Sequence, residues 1–147
     1  MNDQLKLRKA KKIDLNQISK IFMTEFNKEP YYEKWTYKSA VKKINEYFKK
    51  SIIFIIEQNN KLIGFIIISL KLWSDGKRGH INEIVISNEY QGRGYGKLLI
   101  NKAESYFKYM GIKIITLESL NISKAFNIYK KMGFKEDGIV SMEKELK

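Results

Sequence analysis

The chain has no cysteine among its 147 residues. Disulfides, thiolate nucleophiles and thiolate metal sites are therefore excluded, and no metal site is expected. Long apolar runs are missing too. The longest, Ile52 to Ile56 and Leu62 to Leu70, have strand length, well short of the ~20 residues a membrane-spanning helix needs. The first twelve residues, MNDQLKLRKAKK, lack the apolar core of a secretion signal. No membrane partner is expected, and the cytoplasm is the expected location. Acidic residues are scarce: 16 Asp and Glu stand against 28 Lys and Arg, a formal charge of +12. All but three of those basic residues are lysine, and the chain is also rich in Ile and Asn. We read this as compositional bias, because the lysines fall on nearly every polar face and form no single stripe. Nor do aromatics alternate with basic residues on one strand face, so no nucleic-acid partner is expected. An anionic ligand would still benefit from the field.

What is present suffices for one folded unit. Hydrophobic residues make up 44% of the chain, and the length suits a single domain over 1–147. Leu5 to Lys9 alternates like a half-buried strand. Asp14 is placed to cap a helix carrying Leu15, Ile18, Ile21, Phe22 and Phe26 at helical spacing. An aromatic loop around Pro30, the only proline, leads to a second helix over Thr36 to Lys49. Ser51 to Gln58 and Lys61 to Leu72 read as strands joined by a turn at Asn59-Asn60. A polar loop is expected over Ser74 to Gly79, then a strand over His80 to Ser87. A helix runs from Gly94 to Met110 and stops at Gly111. A strand over Ile112 to Leu117, a short helix over Ser123 to Met132 closed by Gly133, and two last strands between Phe134 and Leu146, joined near Asp137-Gly138, complete the order. The fold class is α/β, a mixed central sheet flanked by helices, in the order β-α-α-β-β-β-α-β-α-β-β.

The informative stretch is Ile84-Val85-Ile86-Ser87-Asn88-Glu89-Tyr90-Gln91-Gly92-Arg93-Gly94-Tyr95-Gly96-Lys97. It places three glycines between a strand and a helix. The first turn of a helix carries free N–H groups and the positive end of the dipole, which together favour phosphate. Glycines let a diphosphate approach the backbone, and Arg93 and Lys97 can add charge-assisted bonds. The glycines are two apart throughout, so this is not the dinucleotide fingerprint, and no G-K-S/T follows as a P-loop requires.

Gln91-Gly92-Arg93-Gly94-Tyr95-Gly96 closely resembles the coenzyme A signature Q/R-x-x-G-x-G/A of the GNAT superfamily of N-acetyltransferases. Upstream, His80 to Ile86 looks like the strand that precedes that signature. Downstream, Thr116-Leu117-Glu118-Ser119 and the run from Ala125 to Phe134 resemble the next strand and the A-x-x-x-Y-x-K-x-G-F helix end. These motifs cover roughly residues 80 to 135, and the element order resembles the superfamily over nearly the whole chain.

The resemblance implies acetyl-CoA as cosubstrate, bound between two parallel strands that part. The backbone of Ile84, Val85 and Ile86 would hold the pantetheine arm, and Gln91 to Lys97 (Gln91, Gly92, Arg93, Gly94, Tyr95, Gly96, Lys97) would hold the diphosphate. Tyr129 matches the tyrosine near the sulfur, where a phenol can donate to the departing thiolate. Glu83 is the candidate base, directly or through a water, with His80 and Glu118 as alternatives. A backbone N–H near Val85 or Ile86 would serve the oxyanion. Relatives carry a pantetheine-binding asparagine three residues before the motif's alanine. That position is Ile122 here, and the neighbouring Asn121 takes the expected role. The acceptor site would be lined by Glu25, Tyr31, Tyr32, Glu33 and Trp35, with Trp73 and Asp75 across the cleft. The expected activity is acetyl transfer to a primary amine of a small molecule. A protein amine, and an acyl-CoA sensor on the same fold, are the alternatives, and a homodimer is left open.

Overall fold

A computed structural model describes residues 4–147. Nine elements follow in order: β1 (Leu5–Lys9), α1 (Leu15–Phe26), α2 (Tyr37–Lys50), β2 (Ile52–Gln58), β3 (Lys61–Trp73), β4 (Gly76–Ile86), α3 (Tyr95–Tyr109), β5 (Ile115–Leu117) and α4 (Lys124–Lys131). The sheet has the order β1-β2-β3-β4-β5, antiparallel except for the parallel β4–β5 pair.

The apolar runs of β2 and β3 are continuous because both faces of the sheet are covered. Ile53, Ile55, Phe65, Ile67 and Val85 pack toward Leu15, Ile18, Phe22, Ala40 and Ile44 of α1 and α2. Phe54, Ile56, Ile63, Ile66, Ile68 and Ile81 pack toward Leu99, Ile100, Ala103 and Phe107 of α3. Burying each of the Ile, Leu, Val and Phe side chains is worth about 1.5–3 kcal/mol.

Local chemistry sets the boundaries. Asn59 and Asn60 both take positive φ (51° and 66°), so a two-residue turn joins β2 to β3. The Thr36 hydroxyl accepts the Ser39 N–H at 3.0 Å, and the Ser39 hydroxyl accepts the Thr36 N–H at 2.9 Å, a reciprocal cap on α2. The Ser123 hydroxyl accepts the Phe126 N–H at 3.3 Å and caps α4.

Three expectations are corrected. Asp14 precedes α1, but its side chain does not cap it. Its carboxylate instead takes both ends of the Arg8 guanidinium (2.8 and 2.9 Å) and the Lys11 N–H (2.7 Å). Arg8 also donates to Glu57 at 2.6 Å, tying β1, β2 and the start of α1 together and holding Asp14 below the usual carboxylate range. Second, the loop expected over Ser74 to Gly79 is only a two-residue turn at Ser74-Asp75, because Trp73 pairs with Gly76 and β3 and β4 extend beyond the core. The Arg78 guanidinium lies 4.9 Å from the Trp73 ring and donates to Asp75 at 3.0 Å, which holds the hairpin tip. Third, residues 134–147 form no strand. The Asp137-Gly138 turn is there, with the Asp137 carboxylate accepting the Ile139 N–H at 3.0 Å. Its flanks have no ladder partner, however, and Ile139, Val140, Met142 and Leu146 are exposed.

Gly79 is required for packing. A Cβ there would lie 2.7 Å from the Phe107 ring, which is fully buried. We expect Gly79→Ala to destabilise the fold by about 1–3 kcal/mol, read as a lower midpoint in chemical denaturation. An unchanged midpoint would show that Phe107 yields freely.

Candidate active site

The site begins where the β4–β5 pairing stops. β5 pairs with β4 only at Gly79↔Ile115, His80↔Thr116 and Ile81↔Leu117. Beyond Ile81, β4 continues to Ile86 with β3 as its only strand partner among the described residues. The edge of Asn82 to Ile86 that faces away from β3 therefore borders a gap of the kind an extended ligand can fill as another strand would.

The gap leads to the glycine turn. Gly92 and Gly94 have φ of +77° and +85°, a region that side-chain-bearing residues rarely adopt. Gly94 is the N-cap of α3, and the Leu98 N–H is the first to bond inside the helix, to the Gly94 carbonyl at 3.2 Å. The amides of Tyr95, Gly96 and Lys97 thus precede the helical ladder, as a bound anion requires. Nothing lies within 4 Å of a Cβ built on Gly92, Gly94 or Gly96. Gly96 is the telling case: its φ is ordinary and no neighbour crowds it, while glycine costs a helix about 1 kcal/mol relative to alanine. The fold does not ask for it, but a diphosphate lying against the backbone would. Arg93 and Lys97 are exposed at the rim. Tyr90 pins the turn, with Lys61 5.5 Å and Arg93 5.4 Å from its ring and Tyr95 at 6.5 Å.

Strand alternation places Val85 toward α1 and α2, and Ile84 and Ile86 toward α3. Glu83 shares the Val85 face. There the Tyr47 hydroxyl, from α2, donates to its carboxylate at 3.2 Å. Burial pushes Glu83 up to about 7, against the Tyr47 bond; Glu33 and Glu118 act with burial, and Lys43 acts against it. Such a carboxyl is poised to exchange protons near neutral pH. Tyr129 is held well above the usual phenol range by burial, with Tyr31 and Glu83 adding to it. It therefore keeps its proton and can donate it. Its position comes from the end of α4. The Phe134 N–H bonds the Tyr129 carbonyl and the Gly133 N–H bonds the Lys130 carbonyl, both at 3.0 Å, with Gly133 at φ +95°. The Phe134 ring then meets the Tyr129 ring edge-on at 6.0 Å.

The other expected residues divide. Tyr31 is brought in: burial raises it, Ser123 opposes, and Glu83 and Glu33 add to the rise. Tyr32 stands 68% exposed at φ +50°. Trp35 packs edge-on against Phe22 at 4.9 Å and donates to Glu33 at 2.8 Å, so it holds the wall up from behind. Tyr32, Glu33, Lys34, Trp35 and Ser39 line an open depression of about 520 Å³. Asn121 lies exposed in the turn before α4. His80 is 8% exposed and lies 2.8 Å from the Thr116 hydroxyl inside the paired part of β4 and β5; burial lowers it, with Lys71 adding and Glu118 opposing. Glu25, expected to line the acceptor site, has its carboxylate bonded to Asn88, Gln91 and Lys28, at the turn that precedes α3. Tyr47 was not among the expected site residues.

Among the described residues no helix is long and apolar enough to cross a membrane, and no group of three His, Cys, Asp or Glu could hold a metal ion. The model of the Acetyltransferase (GNAT) family matches residues 15–134. The chain is 29% identical to an uncharacterised N-acetyltransferase of Methanocaldococcus jannaschii, over 91% of this chain and 62% of that one, so it spans less than two thirds of that relative. It is 26% identical to an N-alpha-acetyltransferase of Sulfurisphaera tokodaii (90% and 81% covered). It is 30% identical to a spermidine N(1)-acetyltransferase of Vibrio cholerae (94% and 83% covered). A crystal structure of a possible acetyltransferase from Clostridium difficile superposes with a TM-score of 0.83 at 17% identity, covering 97% of each chain.

The Glu83 environment predicts a pH effect on stability. The folded chain holds that proton up to about 7, whereas the unfolded chain releases it near 4.5. Between those values the unfolded state binds fewer protons, so Glu83 lowers stability as pH rises. Thermal melts should therefore show Glu83→Gln gaining on wild type between pH 5 and pH 8. A gain by wild type over that range would contradict the assignment.

Proposed function

Because this chain belongs to the acetyltransferase (GNAT) family, we propose that it transfers acetyl from acetyl-CoA to a primary amine of a small molecule. The observation that carries the reading is the parted end of β4, which runs straight into an uncrowded glycine turn at the head of α3. Acetyl-CoA would supply the activated acetyl group as a thioester. Its diphosphate fits the amides from Gly92 to Lys97, with Gln91 shaping the turn and Arg93 and Lys97 adding charge at the rim. The open edge of Ile84, Val85 and Ile86 fits the pantetheine arm, and Asn121, in the turn before α4, is the side chain proposed to bond it.

Glu83 accepts the amine proton, directly or through a water, since an ammonium has no lone pair. Its raised pKa lets it take that proton near neutral pH and pass it on. Tyr129 donates to the departing sulfur, and its raised pKa keeps the phenol protonated until then. Tyr47 orients the Glu83 carboxylate. The acceptor approaches along the loop between α1 and α2, past Tyr31, Tyr32 and Glu33. An amine arrives as a cation, and Glu33 and Glu118 both act on Glu83 in a chain of formal charge +12. The likeness to the spermidine enzyme supports a small polyamine-like acceptor, and the likeness to the N-alpha-acetyltransferase supports a protein amine as the second reading.

A panel of amines and N-terminal peptides, assayed with acetyl-CoA and thiol detection, separates these readings. Transfer to small amines is expected. Transfer only to peptides would move the assignment to a protein acceptor, and CoA binding without any transfer would make the chain a sensor. We expect Glu83→Gln to lower kcat by ~10²–10⁴ and to remove the rise in rate through pH 7. Tyr129→Phe should slow turnover while calorimetry still detects CoA. Gly96→Asp should leave the fold intact and weaken CoA binding about 10-fold or more, as an anion placed in the cradle repels another.

A further inference from the structure

We propose that Glu25 is a positioning residue for the diphosphate turn, latching the last turn of α1 to the segment that delivers the glycines. The inference rests on the acetyl-CoA reading above. Glu25 Oε1 accepts from Gln91 Nε2 at 3.1 Å, and Oε2 accepts from the Asn88 N–H at 3.3 Å. The same Gln91 nitrogen donates to the Ile86 carbonyl at 2.8 Å. One amide thus bridges the last residue of β4 and a carboxylate on α1. Lys28 donates to Oε2 at 3.2 Å and helps keep Glu25 in place.

The other side-chain ties on this segment stop at Tyr90, with Lys61 of β3 standing 5.5 Å from its ring and 3.8 Å from the Glu89 carboxylate, which leaves Gln91 to be fixed by its own bonds. Residues 88–90 form a single tight turn, closed by Tyr90 N–H to the Ser87 carbonyl at 2.9 Å and Gln91 N–H to the Asn88 carbonyl at 3.3 Å. Its backbone tie to the sheet is the Ser87 N–H bond to the Ile63 carbonyl at 2.8 Å. Gly92 and Gly94 follow at once, and glycine imposes no direction on the chain. The aim of the amides at the start of α3 therefore depends on where Gln91 is fixed. A carboxylate is the suitable acceptor, because bonds to a charged partner are roughly twice as strong as neutral ones. In this arrangement the Gln91 side chain is engaged inside the protein, so it shapes the cradle and leaves the phosphate to the backbone.

The test is calorimetric titration of CoA into wild type, Glu25→Ala, Glu25→Gln, Gln91→Ala and the Glu25→Ala/Gln91→Ala double variant, with a thermal melt of each. Glu25→Ala and Gln91→Ala should each weaken CoA binding about 10-fold, the loss expected for one charge-assisted bond. Glu25→Gln keeps a carbonyl acceptor and should fall between Glu25→Ala and wild type. The double variant should bind no more weakly than the worse single one, since the two residues act as one device. Equal CoA affinity in wild type and Glu25→Ala would overturn the proposal even if the melting temperature dropped, for Glu25 would then only brace the fold. Losses that add in the double variant would overturn it as well. Failure of wild type to bind CoA would defeat the acetyl-CoA reading itself, a result distinct from either of these.

Discussion

The site depends on a sheet that is tight on one side of β4 and open on the other. Parallel pairing with β5 lasts three residues and ends at Ile81↔Leu117. Pairing with β3 persists to Ile86, opposite Gly64. A Cβ at Gly64 would stand 2.5 Å from the Ile86 side chain and 2.8 Å from the Val85 carbonyl, so β3 and β4 can close only because that residue is glycine. The free edge of β4 must then be satisfied by something other than a strand, since exposed backbone donors and acceptors are costly to leave without partners. Strand geometry does the rest. Alternation sends Glu83 to the α1–α2 face and Ile84 and Ile86 to the α3 face, and the end of β4 delivers the chain to the glycine turn.

Electrostatics at this edge run against the character of the molecule. The chain carries +12, yet the groups acting on Glu83 include Glu33 and Glu118, with Lys43 as an opposing cation. Burial and these neighbours raise Glu83 to about 7, and burial raises Tyr129 well above the ordinary phenol range. Both shifts are upward, but they leave the two groups in opposite roles near neutral pH: one able to accept a proton, the other certain to hold its own. Separation of this kind is what acid–base chemistry at one site requires.

Local signals were legible in the sequence, and long-range ones were not. The Asn59-Asn60 turn, the starts of α2 and α4 near Thr36 and Ser123 and the glycine ends of α3 and α4 each depend on a few neighbouring residues, and each stands where its chemistry put it. The glycine turn ahead of α3 was legible for the same reason. Asp14 has the right side chain for a cap, but Arg8 claims it from β1. The tip of the β3–β4 hairpin reads as loop because it is polar and exposed, and the contacts between Trp73, Asp75 and Arg78 hold it in register. The last two strands have suitable residues, Ile139, Val140 and Met142, but strand formation needs an edge, and β5 offers only Ile115–Leu117. Tyr47 and Glu83 are 36 residues apart, and Glu25 and Gln91 are 66 apart. Helical periodicity shows that α1 and α2 have inner faces, but it does not show which polar atoms those faces meet.

The glycines separate demands of the fold from demands of a ligand. Gly79 and Gly64 are crowded, so their replacement is opposed by packing alone. Gly92 and Gly94 stand in open space, but their positive φ still gives the fold a reason for them. Gly96 has neither reason. It weakens the first turn of α3 and nothing occupies the space a side chain would take. Glu83 is alike in one respect: a half-buried carboxylate with a raised pKa costs the folded state free energy at neutral pH. Both lie along the line from the open edge of β4 to the head of α3. A cost without structural return, repeated at two positions that one extended anionic thioester would touch, is what locates the proposed chemistry there rather than in the open depression over the α1–α2 loop.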